Sequence, residues 1–177
     1  MKKMLLALSL SFLLTAQAAE RSPEIDRSLP VPSQMVIGKV EAGVVLAAQR
    51  YAAFWNTGEA RFAEQAMADD FTDLNLPSGR IQGPKGPLAA SQAFRQAVPD
   101  LKAKIERLIA TDDQVVVHLR FTGTYSGIFK GKQGKGQKVD FQAVDIYQVV
   151  NGKIKTNWHL EDNLSLLLQL EAISFNN

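Results

Sequence analysis

An aspartate near the carboxyl end of the chain stands where a carboxylate could do proton chemistry. Asp162 ends a run in which every second residue is apolar or small, namely Ile154, Thr156, Trp158 and Leu160. If that run is a regular strand, these side chains and Asp162 share one face. Apolar surroundings raise the pKa of a carboxyl group, which can then act as a general acid or base near neutral pH. The spacing therefore predicts that Asp162 lies at the wall of an apolar pocket.

A structural role for Asp162 is equally open. The residue directly precedes a leucine-rich segment with helical spacing. An aspartate before a helix caps it by accepting hydrogen bonds from free backbone N–H groups. The two roles are compatible.

Asp145 is a second candidate carboxylate. It shares a predicted strand face with Phe141 and Tyr147, and a carboxylate among aromatic side chains is typical of a functional site if that face points inward. Charged side chains are rarely buried, however. The favoured interpretation places Asp145 at the surface or against a partner subunit.

The chain has two histidines, His118 and His159. Each alternates with the apolar residues of its own predicted strand, so both are expected to face outward or to lie at an interface. Neither stands at a spacing typical of metal ligands, and no metal site is expected.

Several aromatic residues lie on amphipathic segments and could either line a pocket or fill the core. They are Trp55, Phe71, Tyr125, Phe141 and Trp158.

The elements that must position these residues follow from hydrophobic spacing. Helices are predicted from Lys39 to Trp55, over 59–68, from Pro87 to Val98, and after Asp162. Strands are predicted over 101–109, 115–121, 138–150 and 153–161, with Asn151-Gly152 as a hairpin turn. Helices followed by hairpin-linked strands predict an α+β domain, with a curved antiparallel sheet and helices packed on one face.

The amino-terminal segment predicts export. Lys2 and Lys3 precede an apolar run from Leu5 to Leu14, and Ala16-Gln17-Ala18 follows. This is the pattern of a secretory signal, and the run is too short to span a membrane. We therefore expect a signal peptide at 1–18, a proline-rich arm at 19–38 and one domain at 39–177, in a periplasmic or secreted protein without a membrane span.

Composition excludes several classes of protein. The sequence has no cysteine, so disulfides and thiolate metal sites are excluded. Its formal net charge of +2 includes Lys2 and Lys3, and loss of the signal leaves a neutral chain. Nucleic-acid binders usually carry a basic excess, so no nucleic-acid partner is expected.

Ordered segments across about 43–170 resemble the SnoaL-like polyketide cyclases (the ester cyclase group) of the nuclear-transport-factor-2-like superfamily. They are Arg50–Glu59, Met67–Phe71, Gly83–Gly86, Val98–Leu101, Gly123–Gly127, Ile146-Tyr147, Asn151–Ile154, Trp158, Asp162 and Leu166–Leu170.

The resemblance implies a cone-shaped α+β barrel around a deep, mostly apolar pocket, and often a homodimer. It further implies aldol ring closure without metal or cofactor, with an aspartate as general acid/base. That role maps onto Asp162, and Asp73, Asp145 and Tyr147 join the predicted pocket. The sequence departs from the family where histidines are common, at Leu74 and Tyr125.

Three functions are consistent with these observations. The first is a cyclase or isomerase in which Asp162 moves a proton next to a carbonyl group. The second is a non-catalytic carrier of a small hydrophobic molecule. This function is favoured by the replacement of the family's common histidines by Leu74 and Tyr125. The third is a protein-interaction module that uses the open sheet face.

Overall fold

The computed structural model describes residues 23–175, so the predicted signal peptide and the start of the proline-rich arm lie outside it. Its four helices are α1 (Val44–Thr57), α2 (Ala60–Ala66), α3 (Lys85–Ala97) and α4 (Asn163–Gln169). Its strands are β1 (Gln34–Val40), β2 (Met67–Asp73), β3 (Lys102–Asp112), β4 (Gln114–Tyr125), β5 (Ile128–Phe129), β6 (Lys132–Gln133), β7 (Gln137–Val150) and β8 (Lys153–Glu161). The predicted α+β class is confirmed.

Six strands form one curved sheet in the order β1-β3-β4-β7-β8-β2. The four central strands are antiparallel, as predicted, but β1 pairs parallel to β3 and β2 pairs parallel to β8. The prediction of a wholly antiparallel sheet was therefore wrong at both edges, and the sheet stays open over the described residues. Strand β2 was not predicted because its sequence, MADDFTD, lacks the alternation of a half-buried strand.

Turn chemistry explains why the central strands connect tightly. Asn151 and Gly152, between β7 and β8, both have positive φ angles of 52° and 73°. A two-residue hairpin turn of the I′ type requires this backbone at both positions.

Gly127, beyond β4, has no room for a side chain, because an added Cβ would lie 1.8 Å from the carbonyl oxygen of Gln96.

The core lies between α1 and the concave face of the sheet. Helix α1 contacts β3, β4, β7 and β8. Aromatic rings fill the space between them, with Phe121 stacked on Phe141 at 5.0 Å and the edge of Tyr51 against Tyr147 at 5.6 Å. These contacts bring polar groups of α1 and β7 together inside an otherwise apolar layer.

The described part of the proline-rich arm is packed, contrary to the prediction of an extended linker. Gln49 of α1 is fully buried and its side chain bonds the backbone of Asp26 and Pro30, each at 3.2 Å. Beyond Pro32, β1 joins the edge of β3. Prolines exclude a helix here, but the remaining backbone groups still need partners, and Gln49 and β3 supply them.

A bulge in β3 changes the inner face predicted for that strand. The register shifts between Ile105 and Arg107, which places Leu108 and Ala110 in the core. Ile109, predicted to face inward, is 41% exposed on the outer face.

No helix within the described range is long and apolar enough to cross a membrane.

Candidate functional site

A bulge in β8 decides which of its side chains face the interior. Val149 pairs with Ile154, but Gln148 pairs with Thr156, so Lys155 is an extra residue opposite β7. An extra residue reverses the alternation of the strand beyond it. Asn157 and His159 are consequently buried, whereas Trp158 and Leu160 are 39% and 60% exposed. The prediction that Trp158 and Leu160 face the interior together with Asp162 was wrong for this reason.

Asp162 lies at the exposed start of α4. Its Oδ1 accepts a hydrogen bond from the Ser165 backbone N–H at 3.0 Å, and its Oδ2 accepts one from the Ser165 hydroxyl at 2.6 Å. These bonds lower the pKa of the Asp162 carboxyl group. The geometry is that of a helix cap, and it keeps the side chain ionised and in solvent.

Asp145, in contrast, is 6% exposed on the inner face of β7. The surface position favoured from the sequence was wrong. Burial raises the pKa of Asp145 to about 6, although the Tyr147 hydroxyl, His159 and the Asn157 amide oppose that rise. The Tyr147 hydroxyl donates to Asp145 Oδ2 at 2.6 Å. A carboxyl group with this pKa exchanges protons readily near neutral pH.

His159 lies directly opposite Asp145 in the ladder between β7 and β8. It is 7% exposed, so the predicted outward position was wrong, again because of the β8 bulge. Its Nε2 lies 3.2 Å from Asp73 Oδ2, and its Nδ1 lies 3.8 Å from Glu161 Oε1. His118, by comparison, lies on the outer face beside Gln142 as predicted.

These contacts define what we call the Asp145 cluster: Tyr51, Asp73, Asp145, Tyr147, Asn157 and His159. Its residues come from α1, β2, β7 and β8. In the sheet, Asn157 of β8 pairs with Asp73 of β2 on one side and with Tyr147 of β7 on the other. Burial, together with the charge of Asp145, raises the pKa of the two tyrosines, which therefore remain protonated hydrogen-bond donors. The cluster thus places Asp145, whose pKa burial raises, close to a second carboxyl group, Asp73, and to two buried tyrosines.

The loop between β2 and α3, residues 74–84, lies beside the His159 end of this cluster. Gln82 bonds both backbone groups of Asp73, at 2.8 and 2.9 Å, and Asn75 Nδ2 donates to the His159 carbonyl at 2.6 Å. Leu74 and Ile81 remain 61% and 59% exposed. The loop thus fixes the backbone of Asp73 and leaves two apolar side chains exposed.

The remaining predicted pocket residues are spread through the fold. Phe71, Tyr125 and Phe141 are buried, Trp55 is half-buried, and Trp158 lies on the outer face. The Tyr125 hydroxyl donates to the Lys132 carbonyl at 2.7 Å, tying the β5–β6 hairpin to β4. Of the predicted set, Asp73, Asp145 and Tyr147 come together.

Sequence reasoning did not place three members of the cluster in the site: Tyr51, Asn157 and His159. Asn157 and His159 are two residues apart on β8, as Asp145 and Tyr147 are on β7. Polar residues at matching positions of one hairpin are the signal that could have found them. The match between these positions becomes apparent only when the β8 bulge is included in the strand register.

Two surface clefts lie apart from the Asp145 cluster. One, of about 310 Å³, separates the arm residues 28–31 from α1, α2 and β3. The other, of about 540 Å³, is lined by charged residues that include Glu24, Glu41, Arg50 and Lys153. Neither cleft contains a buried titratable group, so the chemistry favours the cluster. Nowhere in 23–175 do three or more histidine or acidic side chains gather in a way that could hold a metal ion.

Comparisons with solved structures agree with this architecture. A candidate polyketide cyclase from Bacillus cereus ATCC 10987 is 38% identical over 86% of this chain and all of that one, with a TM-score of 0.78. TsrD from Streptomyces laurentii is 23% identical over 85% and 100% of the two chains, with a TM-score of 0.66. IdmH from Streptomyces antibioticus, a candidate polyketide cyclase, is 22% identical over 72% and 98%, with a TM-score of 0.64. The latter two likenesses bear on the fold alone.

No curated protein matches the chain significantly by sequence. The sequence model of the SnoaL-like polyketide cyclases, however, matches residues 45–170, which include every member of the Asp145 cluster. The curved mixed sheet and its helices are those of the nuclear-transport-factor-2-like fold. The chain therefore belongs to the SnoaL-like polyketide cyclase family.

Proposed function

We propose that this protein binds a small, largely apolar carbonyl compound and moves a proton at the carbon next to the carbonyl group. The reaction would be a cyclisation or an isomerisation, with Asp145 as the general acid/base. The observation that carries the proposal is the burial of Asp145, which raises its pKa to about 6. Membership of a polyketide cyclase family supports the same class of chemistry.

In the proposed reaction, the proton that Asp145 removes from the substrate is later returned to the product. Ionised Asp145 removes the proton from the α-carbon, and the electron pair of the C–H bond forms the enolate. In an isomerisation, protonated Asp145 returns the proton to another carbon of the enolate. In a cyclisation, the enolate carbon attacks a second carbonyl group of the same molecule, and the proton goes to the alkoxide that forms. Buried hydroxyl donors such as Tyr51 are suited to stabilising the developing negative charge.

This proposal moves the acid/base role from Asp162 to Asp145. Hydrogen bonds from Ser165 lower the pKa of Asp162, whereas burial raises the pKa of Asp145 toward neutrality. A general acid/base works best when its pKa lies near the working pH. The exposed position of Asp162 supports a role in capping α4 instead.

Deuterium exchange tests the proposal. The probe is 2-tetralone, an apolar ketone whose α-protons are followed by NMR in D2O. Wild-type protein and Asp162→Asn should accelerate the exchange, and Asp145→Asn should lose on the order of 10²-fold or more of that acceleration. An Asp162→Asn variant that lost activity while Asp145→Asn kept it would contradict the assignment.

A carrier function is the second candidate. It is supported by Tyr125, whose hydroxyl is engaged by Lys132, and by the exposed Leu74, because histidines are common at these two positions in the family. Native mass spectrometry of protein from its own host tests this function. A retained small molecule, without exchange activity on 2-tetralone or on that molecule, would favour a carrier.

We also propose that two copies associate through the outer sheet face. Five side chains form a cross-strand row there: Val36, Ile109, Val116, Ile146 and Trp158. Four of them are between 37% and 60% exposed. A continuous apolar row across five strands is unusual on a surface that faces only water.

Export is the remaining part of the proposal. It is supported by the basic start, apolar run and Ala16-Gln17-Ala18 sequence of residues 1–18. Amino-terminal sequencing of protein from a periplasmic fraction should give a chain that begins at Ala19. A chain in the cytosol that retains Met1 would contradict export.

A further inference from the structure

The segment between β4 and β7 projects from one end of the sheet and has no part in the Asp145 cluster. It contains the short strands β5 and β6, and we call residues 128–138 the basic hairpin. We propose that the basic hairpin, with the carboxyl-terminal residues beside it, docks the protein on a membrane surface that contains anionic phospholipids. This interaction surface is independent of the chemistry proposed for the Asp145 cluster.

The charge of the basic hairpin is the first support. It carries four exposed lysines, namely Lys130, Lys132, Lys135 and Lys138. No acidic residue occurs in the sequence between Asp113 and Asp140. Within the described range, the ion pair of these lysines is that of Lys135 with Glu171 at 3.7 Å, and both side chains are more than half exposed, so it contributes little. The chain without its predicted signal is neutral, so this surplus of positive charge is local.

The basic hairpin is held in place, so its lysines extend from an ordered backbone. Lys130 and Gly131 form its turn with positive φ angles of 47° and 80°. The Tyr125 hydroxyl of β4 donates to the Lys132 carbonyl at 2.7 Å, and Lys132 Nζ donates to the Glu171 carbonyl at 2.6 Å. A surface that is ordered before binding loses less conformational entropy when it binds.

Exposed apolar side chains accompany the lysines, and they define the class of partner. Ile128 of β5 is 57% exposed, and Ile173 and Phe175 are 40% and 70% exposed. The bond between Lys132 and Glu171 brings the carboxyl-terminal segment to the same end of the molecule as the hairpin. A bilayer offers anionic head groups to the lysines and hydrocarbon to the apolar side chains beneath them. A nucleic acid offers the negative charge alone.

Vesicle co-sedimentation tests the proposal. Protein is purified from its own host, so that its amino terminus is the natural one. The probes are vesicles of phosphatidylcholine alone and vesicles of equal parts phosphatidylcholine and phosphatidylglycerol. Wild-type protein should sediment with the second and not with the first. Raising the NaCl concentration from about 0.05 M to about 0.5 M should release it, because salt screens the attraction.

A lysine variant and a matched control locate the binding surface. Each lysine near an anionic surface contributes about fivefold to affinity. Replacing the four hairpin lysines by glutamine should therefore weaken binding on the order of 10²-fold. The control loses four lysines from other parts of the surface and should bind within a few-fold of wild type; its changes are Lys39→Gln, Lys85→Gln, Lys153→Gln and Lys155→Gln. Should the hairpin variant fail to fold, as judged by circular dichroism, the pair Lys130→Gln and Lys138→Gln takes its place.

The contribution of the apolar side chains separates a lipid surface from other polyanions. Phe175→Ser should weaken vesicle binding several-fold, while Leu74→Ser, the loss of an equally exposed apolar side chain in the loop after β2, should not. Three results would overturn the proposal: no sedimentation of wild-type protein with the anionic vesicles, binding that survives in the lysine variant, or binding to double-stranded DNA as tight as to the vesicles. The last result would show that charge alone is recognised.

Discussion

At the scale of single residues, two aspartates of the same chain have opposite environments. Asp162 is held ionised by two hydrogen bonds from Ser165, and burial keeps the pKa of Asp145 high. An aspartate before a leucine-rich segment fits both a pocket and a cap, and the sequence supports either. The cap is a local motif, whereas the burial of Asp145 depends on contacts with α1 and β8. Local sequence therefore includes the cap among the two roles open to Asp162, whereas the burial of Asp145 cannot be predicted from neighbouring residues.

The capping role of Asp162 gives a prediction about stability. Asp162→Ala should lower the melting temperature by about 2–4 °C, because α4 loses the side-chain acceptor for the Ser165 N–H. Asp162→Asn should leave it nearly unchanged, since asparagine caps helices about as well as aspartate. Differential scanning calorimetry at pH 7 measures both. Equal destabilisation by the two substitutions would show that the charge, and not the cap, is what matters.

At the scale of elements, most of the central fold could be predicted from alternation and turn chemistry. Val115, Val117, Leu119 and Phe121 line the inner face of β4 as predicted, and Asn151-Gly152 forms the predicted turn. The inner face of β8 could not be predicted, because both faces of the β7–β8 hairpin carry apolar residues. Regular pairing through the turn would set Asp145 opposite Trp158. One extra residue sets it opposite His159 instead.

The β8 bulge itself yields a prediction. Deleting Lys155 removes the extra residue and leaves Asn157 and His159 on the inner face of a now regular strand. The variant should therefore still unfold cooperatively. Deleting Trp158 instead retains the bulge and turns His159 outward, so this variant should melt at a much lower temperature. Thermal unfolding followed by circular dichroism compares them. Greater damage from the Lys155 deletion than from the Trp158 deletion would refute the register described here.

At the scale of the whole molecule, the sheet separates two surfaces with different side chains. Its concave face, covered by α1, holds the Asp145 cluster, and its convex face carries the apolar row that includes Ile146 and Trp158. The resemblance to a family predicted the general architecture, because fold depends on many weak positions along the chain. It predicted only part of the site, namely Asp73, Asp145 and Tyr147, because the positions of Asn157 and His159 depend on the β8 bulge.

The apolar row predicts the oligomeric state. Size-exclusion chromatography with light scattering should give twice the mass of one chain. Ile146→Glu should give a monomer, because a charge in the centre of the row would have to be buried without a partner. Ser126→Glu introduces the same charge at an exposed turn and should remain dimeric. A monomeric wild-type protein would refute association through this face.

The burial of the Asp145 carboxyl group is best tested by the pH dependence of the protein's stability. Because the pKa is about 6 in the folded protein against an ordinary value of 3.8, the folded state binds the proton more tightly than the unfolded chain does. Stability is therefore lost as the pH rises from about 4 through 6. The loss at higher pH is about 3 kcal/mol.

The measurement is urea unfolding of wild-type protein and Asp145→Asn between pH 3.5 and 8. Asparagine cannot ionise, so the variant should gain stability relative to wild type as the pH rises, approaching about 3 kcal/mol above pH 7. Most of the change in this difference should fall between pH 4 and 6, with a smaller change between pH 3.5 and 4. A difference that is flat across the whole range, or that changes in favour of wild type with rising pH, would contradict a buried Asp145 and the site built around it.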